Sequence, residues 1–220
     1  MCTPNCIAFA KTEFARANIE GLDVLEVGSF DVNGSVRDAA QQYAPRRYVG
    51  VDIAEGPGVD AVCSAGELVK AFGESSFDVV VSTEMLEHVP DWKSAITEMK
   101  RVLRPGGSLI LTTRSPGFSL HGYPADFWRF STGDMGEIFA DFDDLRIESD
   151  RDGSPGVFVS GTKSDRDPTS VASIAVYSIV ARRRRQNANR AEIAASKILI
   201  LIKGWVPASL RHLGRRAQSL

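Results

Sequence analysis

Short apolar runs alternate with longer stretches of mixed apolar and polar positions over the first 150 residues. The short runs are rich in valine, isoleucine and leucine and stop at glycine or polar residues, a pattern that predicts buried strands. The longer stretches have the length and spacing of helices. The predicted strands are 22–27, 48–51, 59–63, 77–81 and 108–113, and the predicted helices are 3–18, 34–43, 95–103 and 132–139.

This alternation predicts a parallel sheet with helices on both faces, the Rossmann-like doubly wound α/β fold. Beyond the last of these helices we expect a strand at 145–149, a turn-rich, mobile connection at 153–168 and a final long strand at 171–181. A chain of 220 residues can bury one substantial core rather than two. We therefore predict one catalytic-size domain over residues 1–181.

Residues 182–220 differ from that domain in charge. They hold ten Lys and Arg residues against one acid, Glu192, a net charge of +9, so the first 181 residues carry −11 of the chain's total of −2. We predict a basic C-terminal extension with a helix over 190–203. It could contact an anionic membrane surface, bind nucleic acid or an acidic partner, or form a solvated or dimer-forming helix. Nucleic acid is the least favoured partner because no stacking platform or recognised motif accompanies the charge.

Cysteine content and apolar run length bear on location. Cys2, Cys6 and Cys63 are odd in number and too few for a disulfide scaffold, which favours the cytoplasm, with peripheral membrane contact through the extension as an option. No secretory signal pattern is seen at the start, and the apolar run at 198–202 is far shorter than the ~20 residues that span a bilayer. Cys2 and Cys6 lack companion ligands, so we expect no metal site.

The first predicted strand ends at Glu26 and Gly28, where an open parallel sheet binds its ligands. Gly28 allows a tight turn and a close approach of the backbone to a ligand. A dinucleotide site needs glycine at the first, third and sixth loop positions, which hold Gly28, Phe30 and Asn33, and a Walker loop is absent. With Glu26 and Asp31 nearby, the loop suits a cationic ligand better than a phosphate. S-adenosylmethionine carries such charge on its sulfonium and ammonium groups.

Asp52 closes the second predicted strand, and it follows Glu26 at a distance typical of a strand-helix-strand unit. A carboxylate at this position can accept both hydroxyls of a ribose. An acid at a strand end is about as often a cap for a turn or helix, so both interpretations stay open.

Four segments, in this order, resemble the class I S-adenosylmethionine-dependent methyltransferases of the type 11 family. They are Val24-Leu25-Glu26-Val27-Gly28, Tyr48-Val49-Gly50-Val51-Asp52, Phe77-Asp78-Val79-Val80 with Glu84-Met85-Leu86-Glu87-His88-Val89, and Arg101-Val102-Leu103-Arg104-Pro105-Gly106-Gly107. The resemblance covers residues 22 to 113 and weakens towards 139. It implies a seven-stranded sheet whose last strand is antiparallel, and methyl transfer from S-adenosylmethionine.

The resemblance also implies the cofactor-binding residues. Asp52 would hold the ribose, Ile53 would cover one face of the adenine, and Ser64 and Ala65 would contact the edge of the adenine. The residues on the methionine side and in the first loop would be Glu26, Gly28, Ser29, Phe30, Glu84 and Met85. The chain departs from the family pattern at Phe30 and Val32, where glycines are usual, and at Ser64, where an acid is common.

The segment that follows the fifth strand, residues 119–130, interleaves aromatic and charged side chains on the expected ligand side of the sheet. In the resembling enzymes this stretch covers the acceptor pocket. The candidate catalytic residues are His121 and His88, and the candidate substrate-binding residues are Tyr123, Asp126, Trp128 and Arg129. The alternative is a packed connection in which the aromatic side chains belong to the core, Arg129 pairs with a local acid and His88 packs against the sheet.

We therefore predict a methyltransferase that acts on a small-molecule, lipid-linked or saccharide-linked acceptor. Two alternatives remain open. One is a cofactor-binding module without turnover, which the departures at Val32 and Ser64 allow. The other is a nicotinamide-dependent oxidoreductase, which Phe30 and Asn33 disfavour.

Overall fold

The computed structural model describes residues 3–32, 34–122, 125–150, 154–166 and 168–205. Its elements in chain order are α1 (Pro4–Ala17), β1 (Asp23–Val27), α2 (Arg37–Gln41), β2 (Arg47–Asp52), β3 (Ala61–Val62), α3 (Leu68–Phe72), β4 (Phe77–Thr83), α4 (Trp92–Val102), β5 (Leu103–Arg114), β6 (Trp128–Arg129), α5 (Thr132–Ile138), β7 (Phe142–Ser149), β8 (Gly156–Lys163), β9 (Val176–Ser178), β10 (Arg183–Arg185) and α6 (Arg190–Trp205). A short 3-10 helix, Leu86–His88, lies between β4 and α4.

Seven strands form the main sheet in the order β3-β2-β1-β4-β5-β8-β7. The pairs from β3 to β5 are parallel, whereas β8 runs antiparallel to both of its neighbours, β5 and β7. This confirms the predicted Rossmann-like, mostly parallel sheet with an antiparallel last strand. Strand order reverses between β1 and β4, so the ligand crevice is expected beyond the carboxyl ends of these strands.

Two predictions for the region after α5 are wrong. The seventh strand of the main sheet is β8, which lies inside the segment expected to be a mobile connection. The apolar run at 171–181 contributes only three strand residues, β9, to a separate antiparallel sheet of order β10-β9-β6. Val171, Ile174 and Val176 of that run are buried, so their apolar character reflects core packing rather than a long strand.

Buried side chains fill both faces of the main sheet. On one face α1 and α2 contribute to a cluster that includes Phe14 and Val79. On the other face Trp92, Ile96 and Met99 of α4 belong to a larger cluster. Helix α1 begins where Thr3 Oγ1 accepts a hydrogen bond from Cys6 N at 3.3 Å, with proline in the first turn.

The described part of the C-terminal extension contacts the rest of the chain. Strand β10 pairs with β9, and Ser196 of α6 is fully buried. The domain boundary at residue 181 stays a prediction. Among the described residues, no helix is long and apolar enough to cross a membrane.

Candidate cofactor and acceptor site

The turn after β1 is built closely around Gly28. Its φ of +84° lies in the left-handed region, and a Cβ there would collide with the side chain of Met85. The Gly28 and Ser29 amides donate to the Val51 carbonyl at 2.8 and 3.0 Å. Within the described part of the chain, the buried Ser29 hydroxyl has no hydrogen-bond partner. The first loop therefore holds its backbone directly between β2 and the residues that follow β4.

Glu26 places a buried carboxyl group at the same strand end, with 2% of the residue exposed. Tyr48 Oη donates to Glu26 Oε2 at 2.9 Å. Burial raises the pKa of Glu26 to about 7, although the Tyr48 hydrogen bond and the charge of Arg37 act to lower it. A cation placed beside this carboxyl group would favour its charged form, so the group suits a positively charged ligand.

Asp52 lies at the end of β2 and faces the first loop. Its Oδ2 accepts from Phe30 N at 3.3 Å, and its Oδ1 accepts from Ala54 N at 3.4 Å. The carboxylate thus fixes two backbone turns, which matches the capping interpretation, and each oxygen keeps a further lone pair for a ligand. Phe30 and Ile53 are 37% and 69% exposed and give this edge an apolar surface.

Ser64 and Ala65, the predicted contacts to the adenine edge, lie between β3 and α3. Ser64 is exposed, and its Oγ accepts a hydrogen bond from Gly66 N at 3.3 Å. Ala65 is buried. Ser64 thus supplies a local turn contact at the position where the family often has an acid.

Glu84 follows β4, and its carboxylate contacts three side chains of the protein. Its carboxylate pairs with Arg114, accepts from Thr112 Oγ1 at 3.0 Å, and accepts from the thiol of Cys6 at 3.4 Å. Burial and the nearby charge of Glu87 raise its pKa to about 7. The Cys6 contact brings the first turn of α1 over the crevice. Glu84 therefore shapes the methionine side of the predicted cofactor site while its charge is shared with Arg114.

His121 belongs to a buried cluster with Glu87 and Asp126. Its Nδ1 lies 3.0 Å from Asp126 Oδ2, and because a carboxylate only accepts, this nitrogen carries the proton. Its Nε2 lies 3.6 Å from Glu87 Oε1. Burial lowers the pKa of His121, but the hydrogen bond to Asp126 and the nearby charge of Glu87 raise it more, so the net shift is upward. The ring packs between Phe118 and His88, with centroid distances of 4.8 and 4.9 Å.

Arg129 fixes the far side of this cluster. Its guanidinium donates to Asp126 Oδ1 and Oδ2 at 2.6 and 2.7 Å, and both residues are almost completely buried. Burial alone would raise the pKa of Asp126, but Arg129 and His121 hold it at about 2. Asp126 and Arg129, predicted to bind substrate, thus form an internal pair that orients His121.

Glu87 and His88 complete the cluster on the β4 side. Thr113 Oγ1 donates to Glu87 Oε2 at 2.8 Å, and His88 Nδ1 lies 2.6 Å from the Ala125 carbonyl oxygen. Burial would raise the pKa of Glu87, but the nearby His121 and His88 hold it at about 2. His88 Nε2 lies 3.8 Å from Glu87 Oε1.

The spacing of Glu87, His88 and His121, with ligand atoms within 4.8 Å of one another, is also compatible with a metal ion. The hydrogen bond from His121 Nδ1 to Asp126, which Arg129 holds in place, also suits a group that takes up and releases a proton at Nε2. We therefore interpret the group as an acid–base cluster.

Trp128 and Tyr123 were also predicted to bind substrate. Trp128 is fully buried and its Nε1 donates to the Val89 carbonyl at 2.8 Å, which is the packing alternative considered from the sequence. Tyr123 lies outside the described residues.

Sequence reasoning did not assign roles to Glu87, Arg114 or Ser196. Glu87 could have been found from its position beside His88 in the quoted motif. No local signal identifies Ser196, whose hydroxyl bonds the backbone of Asp126, 70 residues away along the chain.

Comparison with known proteins supports the type of domain. Residues 12–111 match the family model described as a methyltransferase domain, Methyltransf_11. Ubiquinone biosynthesis O-methyltransferase of Idiomarina loihiensis is 34% identical, over 42% of this chain and 42% of the relative. The enzyme of the same name from Hahella chejuensis is 36% identical, over 44% of this chain and 45% of the relative. The chain thus matches less than half the length of these curated relatives.

Solved structures show the same fold. The 1,6-didemethyltoxoflavin-N1-methyltransferase of Burkholderia thailandensis, solved with S-adenosylhomocysteine and its substrate, superposes with a TM-score of 0.55 at 18% identity, over 73% of this chain and 79% of that one. Phosphoethanolamine N-methyltransferase 2 of Haemonchus contortus, solved with S-adenosyl-L-methionine, superposes with a TM-score of 0.54 at 18% identity, over 73% of this chain and 52% of that one.

Residues 12–111 are thus a methyltransferase domain of the Methyltransf_11 type, and the sheet has the fold of S-adenosylmethionine-dependent methyltransferases. This confirms three predictions from the sequence: the methyltransferase type, the Rossmann-like fold and S-adenosylmethionine as the cofactor.

Proposed function

We propose that this protein transfers a methyl group from S-adenosylmethionine to a hydroxyl group of a small-molecule or lipid- or saccharide-linked acceptor. The observation that carries the proposal is the buried carboxyl group of Glu26 beside the open backbone of Gly28, at the point where strand order reverses. A pKa of about 7 makes this carboxyl group responsive to a cationic ligand. A phosphate ligand would be repelled by it.

The residues at the strand ends fit the cofactor. Glu26 would hold the ammonium group of its methionine part, and Gly28 lets the backbone approach. Asp52, oriented by the amides of Phe30 and Ala54, has lone pairs left for the ribose hydroxyls. The exposed side chain of Ile53 offers an apolar surface to the adenine. When bound, the cofactor supplies a methyl group activated by the positive sulfonium.

The cluster around His121 supplies a base that can remove the proton from the hydroxyl group to be methylated. Because Nδ1 donates to Asp126, the neutral imidazole presents Nε2 as its basic atom. Arg129 fixes Asp126, so the ring orientation is preset. General base assistance of this kind contributes on the order of 10²–10⁴-fold to rate. The names of the curated relatives, which are O-methyltransferases, support a hydroxyl acceptor.

Calorimetry with S-adenosylmethionine and with NAD, followed by transfer assays, tests the proposal. The purified chain should bind the first ligand and not the second. Incubation with methyl-labelled cofactor and cell extract, fractionated into lipid, small-molecule, protein and nucleic-acid pools, should place label in the lipid or small-molecule pool. No binding of S-adenosylmethionine refutes the proposal. Binding without label in any pool would instead indicate a module without turnover.

A further inference from the structure

The C-terminal half of α6 exposes a group of aliphatic side chains. Ile198, Leu199, Leu201 and Ile202 are 55%, 41%, 65% and 57% exposed, and we call them the α6 apolar patch. Scattered exposed apolar residues are normal in proteins, but four of them on adjacent turns of one helix mark an interaction surface. Such a patch needs a partner that covers apolar surface.

Basic side chains precede the α6 apolar patch along the chain. Lys197 directly precedes it, and Arg183 and Arg190 are exposed near the start of the helix. The whole extension carries ten basic residues against one acid. Aliphatic side chains combined with exposed cations match an anionic lipid surface, which offers hydrocarbon beneath negative headgroups.

The length of α6 suits a helix that lies on a membrane surface rather than one that crosses the bilayer. The helix has 16 residues, about 24 Å at 1.5 Å per residue, whereas a span needs ~20 apolar residues. Ser196 is buried in the middle of the helix, so one face of α6 stays against the protein. The geometry therefore allows the patch to enter the headgroup region while the domain stays outside.

Ser196 also links α6 to the acceptor cluster. Its Oγ accepts from Asp126 N and donates to Asp126 O, both at 2.8 Å. The side chain of the same Asp126 holds His121. The α6 apolar patch begins two residues after Ser196, so the exposed surface and the acceptor cluster are neighbours in space.

We propose that α6 docks this protein on an anionic bilayer surface, and that the methyl acceptor is a hydroxyl compound carried by that bilayer. The second part rests on the proposed methyl transfer. A second copy of the chain is the less favoured occupant of the patch, because a symmetric contact there would bring two extensions of charge +9 together.

Vesicle flotation with the full chain tests the docking. The vesicles contain phosphatidylcholine alone or phosphatidylcholine mixed with anionic phosphatidylglycerol. The protein should float with the mixed vesicles and be released by high salt. The double variant Ile198→Ser/Leu201→Ser should bind them roughly tenfold more weakly or worse. Val62→Ser, which changes a side chain that is 56% exposed on β3, is the matched control and should bind like wild type.

Charge variants and two further measurements separate the outcomes. Lys197→Gln should weaken binding about fivefold, whereas Lys70→Gln, also exposed, should not. Absence of flotation, equal flotation with both vesicle types, or wild-type binding by the serine variant overturns the docking. Light scattering that shows a dimer dissociated by the serine substitutions assigns the patch to a second copy. Calorimetry with S-adenosylmethionine on the same preparations reports separately on the proposed methyl transfer.

Discussion

Glu26→Gln is a sharp test of the cofactor site because it removes a charge and little volume. The glutamine carbonyl can still accept the hydrogen bond that Tyr48 Oη now donates to Glu26 Oε2 at 2.9 Å. The residue is 2% exposed, so water hardly screens the group. Differences between the variant and wild type therefore report on the carboxylate charge.

The expected effect on stability follows from the pKa of Glu26, which burial raises from 4.5 to about 7. A carboxyl group with a raised pKa in the folded state stabilises the fold while protonated. That contribution is fully present below pH 4.5 and is lost as the pH rises to 7 and above. At 1.36 kcal/mol per pKa unit, the charged form costs about 3 kcal/mol. At pH 8 the free energy of unfolding of the glutamine variant should exceed that of wild type by about this amount, and at pH 4.5 the two should be nearly equal.

Cofactor binding should change in the opposite direction. A charge-assisted hydrogen bond is worth about 1.5–3 kcal/mol, so the variant should bind S-adenosylmethionine about 10- to 100-fold more weakly at pH 7.5. Wild-type affinity should rise between pH 6 and 7.5 as Glu26 ionises, and the variant should lose that dependence.

Urea denaturation across pH and calorimetry measure these two effects. Glu13→Gln is the control, because Glu13 is also buried but lies on α1 and pairs with Arg16. Equal stability of wild type and Glu26→Gln at pH 8, with unchanged cofactor affinity, would refute the role given to Glu26.

Three further substitutions test other parts of the site. Gly28→Ala should cost about 1–3 kcal/mol of stability and more than tenfold in cofactor affinity, measured by urea denaturation and calorimetry, because φ is +84° and the new Cβ meets Met85. Arg129→Met should destabilise the protein by about 3–5 kcal/mol in urea denaturation, since the buried charge of Asp126 would lose its bidentate partner and keep only His121; a loss under 1 kcal/mol would contradict this. His121→Gln should lower kcat by about 10²–10⁴-fold while S-adenosylmethionine still binds. The wild-type rate should rise as the pH passes through the raised pKa of His121, because the base must lose its proton before it can act. A rate that a chelator abolishes and a metal ion restores would contradict the acid–base interpretation.

The residues proposed for the cofactor could be selected from the sequence because their determinants are local. Glu26 and Gly28 end one strand and Asp52 ends the next, and the parallel pairing of β1 with β2 brings their ends together. Strand periodicity and the position of glycine carry this information in the sequence. The contact of Asp52 with Ala54 N was also open to prediction, because it lies within one turn, whereas the contact with Phe30 N joins two loops 22 residues apart.

Strand β8 could not be predicted because its residues lack the expected composition. The strand contains Gly156, Ser160, Gly161 and Thr162 and follows Pro155, which together resemble a loop. It is nevertheless buried between β5 and β7, where small residues suit close packing. Tertiary context overrides local propensity here.

The acceptor half of the site depends on contacts between distant segments, and this limits what the family resemblance can transfer. The matched region, residues 12–111, contains Glu87 and His88 but not His121, Asp126 or Ser196. Those residues come from the connection after β5 and from α6; His121 faces Glu87, and Ser196 bonds the backbone of Asp126. The residues proposed for the cofactor thus lie inside the matched region, whereas His121, Asp126 and Ser196 lie outside it. The identity of the acceptor must therefore be sought in the segment around His121 and in α6, because the relatives whose names suggest a hydroxyl acceptor match less than half of this chain.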